Sequence, residues 1–159
     1  MARQGPASNR APKLILISIV ILLIVGAGAY YVYTYPHRQA VDVARTYVAY
    51  EDAGDYAAAW GLLDARQKTQ LNQATYIDLR SKLFLESLKA HSFNYKVDKV
   101  RHLKTWQPGK TASVLKNVYQ ITVEQQFKSQ FGDQVLITKL YLTKDKTANN
   151  NWRILWNQT

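Results

Sequence analysis

The sequence has no cysteine. Its absence excludes disulfides, thiol catalysis, thiolate metal sites and a lipid-modified N-terminal cysteine, and leaves the redox compartment open. Histidine is scarce as well. His37, His91 and His102 are far apart, and His91 and His102 are separated by eleven positions, so no local metal-ligand spacing is present. No metal or other cofactor is expected. Acidic residues are missing from the first 41 positions, and residues 14–35 carry no charge of either sign. No internal repeat is present.

The uncharged stretch reads LILISIVILLIVGAGAYYVYTY. As a helix its 22 positions span roughly 33 Å at about 1.5 Å per residue, enough for a hydrocarbon core of about 30 Å. It predicts a single transmembrane anchor. Tyr30, Tyr31, Tyr33 and Tyr35 close it, as expected where a helix leaves lipid, because the ring is apolar and the hydroxyl needs water. A cleaved signal peptide is the alternative: a basic leader, an apolar core and Ala27-Gly28-Ala29 match that pattern, and cleavage after Ala29 would release a secreted protein. Arg3, Arg10 and Lys13 precede the span without an acid, whereas Arg38 and Arg45 follow it closely, which favours a cytoplasmic N-terminus and places the rest outside.

Residues 1–13 are small and polar and read as a short cytoplasmic tail. Residues 38–159 suffice for one domain. It holds 18 of the 21 basic residues and all 11 acidic ones. A basic domain beside a membrane is drawn to anionic headgroups or wall polymers. With this topology, nucleic acid is not an expected partner.

Periodicity divides the domain in two. Helices are expected over 38–53, 56–66 and 73–90, with Pro36 ending the apolar helix, Gly54 as a stop, and Asp55 and Asn72 as caps. Thereafter the apolar residues alternate. Phe93, Tyr95 and Val97 share a face, and Val100 falls on the opposite parity, which implies a register shift. Gln107-Pro108-Gly109-Lys110 marks a turn. Tyr119, Ile121, Val123 and Phe127 define the clearest strand, and Phe131-Gly132-Asp133 the hairpin after it. Residues 135–143 are apolar on much of both faces, which predicts a strand that is central in the sheet or covered on both faces. A polar loop over 144–151 leads to a last strand with Trp152, Ile154 and Trp156. The expected class is α+β: three helices packed on a curved antiparallel sheet of about four strands.

The residues 40–63, with Tyr47, Gly54-Asp55-Tyr56, Trp60 and Leu62-Leu63, resemble the first two helices of nuclear transport factor 2-like domains. Trp152-Arg153-Ile154-Leu155-Trp156 is similar to their last strand. More narrowly, the set resembles the N-terminal domain of beta-lactam-resistance penicillin-binding proteins. The resemblance implies a cone-like fold around a pocket and a Gram-positive-type host. No transpeptidase domain is expected to follow. Ser113-Val114-Leu115-Lys116 has Ser-x-x-Lys spacing, but no Lys-Thr-Gly accompanies it, so it carries no catalytic reading.

Tyr56, Trp60, Phe84, Tyr119, Trp152 and Trp156 are the pocket or core aromatics. Lys96, Lys99, Arg101, Lys104 and Lys110, beside His102 and Trp106, form the densest basic run, which suits an anionic partner or simply a solvated edge. Asp98 alternates with Lys96 on a solvated face, and a surface pair explains it better than base catalysis. No catalytic residue is assigned. The expected function is a membrane-anchored, extracytoplasmic, non-catalytic interaction or ligand-binding module with a protein partner in the envelope. Two alternatives stand beside it: a structural subunit of a conjugation or secretion channel, and a small-molecule-binding or isomerase-like enzyme. Nothing in the sequence sets an oligomeric state.

Overall fold

The computed structural model describes residues 10–145 and 149–156. Parts of the tail expected at 1–13 and of the loop expected at 144–151 lie outside them. The chain divides into two units, Met1–Pro36 and His37–Thr159.

One helix, α1 (Arg10–Asp52), carries the apolar stretch. Among the described residues it is the only helix long and apolar enough to cross a membrane. Its residues from Ile15 to Val32 are exposed, as a surface facing lipid rather than a protein core would be. The break expected at Pro36 does not occur, because α1 runs through it. Proline removes one hydrogen bond and crowds one carbonyl, a local loss that the turns on either side outlast. The helix expected over 38–53 is therefore the end of α1.

In the second unit α1 turns Ala40, Val41, Ala44, Tyr47 and Val48 inward. Gly54, with φ of 73°, stops the helix. This left-handed conformation costs glycine no Cβ clash. The Asp55 carboxylate accepts from the Ala58 N–H and opens α2 (Tyr56–Gly61). Where one helix was expected over 56–66 there are two. Asp64 accepts from the Arg66 N–H and caps α3 (Ala65–Gln70). The Asn72 side-chain oxygen Oδ1 accepts from the Thr75 N–H and caps α4 (Gln73–Ser81). The helix expected to reach residue 90 becomes a π-helical segment, Lys82–Ser87, in which the Leu88 N–H reaches back to the Leu83 carbonyl.

Four strands follow: β1 (Asn94–Trp106), β2 (Leu115–Ser129), β3 (Gly132–Asp145) and β4 (Asn151–Leu155). They form one antiparallel meander in chain order. Leu63, between α2 and α3, bridges to Ile154 and covers the free edge of β4. The class is thus mixed helix and four-stranded antiparallel sheet.

The inner face of the sheet, toward the helices, buries Ile121, Val123, Gln125 and Phe127 from β2, Leu140 and Leu142 from β3, and Trp152 and Ile154 from β4. The outer face has its own small cluster of Val118, Tyr141 and Leu155, with Trp106 stacked on Tyr141 at 4.0 Å. That cluster covers only one end. Val135 and Ile137 on β3 are 57% and 64% exposed. As expected, β3 is an interior strand, between β2 and β4, and cover on both faces holds for its second half only.

Candidate functional site

Four polar side chains from two helices meet in the core. Glu51, 3% exposed, comes from the last turn of α1. Tyr76 and Arg80, four apart on α4, face it, and Tyr47 sits one turn earlier on α1. Arg80 Nη2 donates to Glu51 Oε2 at 2.6 Å. The Tyr47 and Tyr76 hydroxyls approach Glu51 Oε1 at 2.8 and 2.9 Å and each other at 2.9 Å. Two hydroxyl protons cannot fill three contacts, so two are hydrogen-bonded at a time.

The electrostatics follow from burial. Desolvation first, and then the Glu51 charge, holds the Tyr47 and Tyr76 hydroxyls well above the ordinary tyrosine range. Burial alone would lower the Arg80 pKa, but the Tyr47 and Tyr76 hydroxyls and the Glu51 carboxylate that accepts its hydrogen bond outweigh burial and raise it. Arg80 also lies over the Phe84 ring at 4.9 Å, while its Nε is buried with no hydrogen-bond partner among the described residues.

Beside this quartet lies a cavity of about 310 Å³ lined by Leu71, Tyr76, Leu79, Arg80, Leu83, Thr138 and Trp156. Its walls are almost wholly apolar, and Arg80 supplies the charge. Trp156 stacks on Tyr76 with ring centroids 5.8 Å apart. Leu83 belongs to the π-helical segment, a distortion that recurs at functional sites. A second, larger cavity of about 710 Å³ is lined by Asp52, His91, Phe93, Phe127, Asp133 and their neighbours. Among the described residues no three histidine or acidic groups are placed to hold a metal ion.

Of the six expected aromatics only Trp156 lines the smaller cavity. Tyr56 stacks on Phe84 in the core, which in turn stacks on Phe93. Tyr119 packs edge-on against Trp152 at 5.3 Å. Trp60 is half-buried, its Nε1–H donates to the Leu71 carbonyl, and Lys68 sits 4.6 Å above its ring. The quartet was missed by sequence reasoning. Glu51 and Arg80 are 29 positions apart, and neither stands out from the solvated charges around it.

The basic run is divided by the sheet. A bulge at Asp98 shifts the register between Val97 and Lys99. Asp98 itself is exposed. Lys96, Lys99 and Arg101 therefore share the outer face, opposite Glu124, Thr122 and Gln120. Lys104 falls on the parity of His102 and the inner face, and Lys110 lies in the turn after β1. The five do not form one patch. Lys96 pairs with Glu124 at 3.4 Å rather than with Asp98. The outer face gains a residue that the run did not include, Lys139 of β3, across Thr122 from Lys99.

The chain matches no protein-family model and no curated protein.

Proposed function

We propose that this chain is a membrane-anchored, extracytoplasmic, non-catalytic module that binds a small, largely apolar ligand in the cavity between α4 and the sheet, in the service of cell-envelope assembly. The observation that carries the reading is that cavity: about 310 Å³, apolar walls, and one positioned cation, Arg80. Ligand pockets are commonly apolar with a few placed polar groups. The one acid beside it, Glu51, is engaged by Arg80 and by the two tyrosine hydroxyls, which suits an acid that positions Arg80 better than a base that must take up a proton. The likeness to nuclear transport factor 2-like domains, and the cone it implies, rests on Gly54-Asp55-Tyr56, Trp60 and the Trp152–Trp156 strand.

The anchor reading is supported by the exposed apolar surface of α1, and its orientation by the positive charges before the span. Intact mass of the membrane fraction distinguishes it from secretion, which would leave Tyr30 as the first residue. The ligand reading is tested by thermal melting of the full chain in nanodiscs with octanoate or indole. A saturable rise in Tm that disappears in Thr138→Trp, which fills the cavity, is expected. No rise with either compound overturns the reading.

A further inference from the structure

The exposed half of the outer sheet face is a basic platform with apolar side chains beside it. Lys99 and Lys139 stand in one cross-strand row with Thr122 between them, and Arg101 and Lys96 occupy the rows on either side. All four are exposed, and among the described residues Lys99, Arg101 and Lys139 make no ion pair. The acids of this half are Glu124, already paired with Lys96, Asp98, exposed at the bulge beside Lys99, and Asp133 opposite Lys128. The arrangement depends on the Asp98 bulge. In a regular strand Lys96 and Lys99 would point to opposite faces.

Next to the charges, Val135 and Ile137 project from the same face, and Phe131 at the hairpin tip is 72% exposed. A soluble polyanion gives such side chains nothing to bury against. A bilayer interface accepts both kinds, taking lysine and arginine at the headgroups and shallow apolar groups at the acyl boundary. We propose that this face docks on an anionic lipid bilayer. It does so through Lys96, Lys99, Arg101 and Lys139, with Val135 and Ile137 entering the interface. Each cation brought to an anionic surface multiplies the docked population about fivefold.

The test uses the full chain, which has no cysteine to compete with a single label. A nitroxide on Gln126→Cys, an exposed position on this face, is read in neutral phosphatidylcholine nanodiscs and in discs containing phosphatidylglycerol. The proposal rests on the anchored reading only in that the anchor holds the chain at both kinds of disc. Co-elution of chain and disc reports on the anchor, and the nitroxide reports on the face. Collision with a water-soluble nickel relaxant should fall several-fold in the anionic discs. Lys99→Glu/Lys139→Glu, Ile137→Asp, or about 0.5 M salt, which cuts the screening length to about 4 Å, should restore it. Equal collision rates in the two discs overturn the proposal. So does protection by soluble polyphosphate in neutral discs without any effect of phosphatidylglycerol, which would assign the face to a polymer.

Discussion

Arg80 and Glu51, from α4 and α1, are joined by a 2.6 Å charge-assisted hydrogen bond inside the second unit. Breaking a buried pair from one side strands the other charge. Glu51→Ala should therefore cost about 3–5 kcal/mol in denaturant unfolding. Tyr47→Phe and Tyr76→Phe should each cost about 1 kcal/mol. Because either hydroxyl can serve Glu51 Oε1 alone, the double replacement should cost more than the two single ones together. Strict additivity would mean that the two hydroxyls do not share that oxygen.

The same group sets an alkaline limit. Both tyrosine pKa values lie above the unfolded value of 10.0. Below pH 10 the hydroxyls are protonated in both states. Above it the unfolded chain loses protons that the folded chain keeps, so stability falls as pH rises. The slope should approach about 1.4 kcal/mol per pH unit for each tyrosine. Tyr47→Phe/Tyr76→Phe should be less stable at neutral pH and flatter above pH 10. A double variant that keeps the wild-type slope would place the titrating groups elsewhere.

The strands were legible because a half-buried strand writes its two faces into alternate positions. Even the Asp98 bulge showed, as the changed parity of Val100. Caps were legible for a similar reason. Gly54, Asp55 and Asn72 act through their own backbone neighbourhood, and the signal is local. The rest depends on contacts between distant segments. Pro36 reads as a break, yet α1 passes through it. The six residues of α3 are mostly polar, so only Asp64 could have announced them. The Glu51–Arg80 pair joins segments whose approach no local pattern encodes. A pocket was expected only through the family resemblance, and of the six aromatics expected in pocket or core only Trp156 lines the cavity found beside the pair.

Gln125 interrupts an otherwise apolar inner row of β2. It is 2% exposed, and its Nε2 has no hydrogen-bond partner among the described residues. An unmade buried hydrogen bond costs about 1–3 kcal/mol, and replacing the group by an apolar one of similar shape removes that cost. Gln125→Met should raise stability by about 1 kcal/mol by that reasoning. Chemical denaturation checks it. A loss of stability instead would mean that the amide is held by a water or a ligand.

Asp98 is the one residue of β1 that the ladder passes over between Val97 and Lys99. Val97 pairs with Val123 and Lys99 with Thr122, so the partners are consecutive while the paired residues are not. Removing Asp98 therefore joins two segments already in register, and every other side chain keeps its face. The deletion should fold with a change of no more than about 1 kcal/mol, as a surface change away from the core does. Deleting Val100 instead flips the remainder of β1 to the other face unless the strand slips, and it removes an apolar contact of the inner face. That variant should be destabilised by several times as much. Thermal melts of the two deletions decide the matter, since equal losses would show that β1 is not anchored by its pairing with β2.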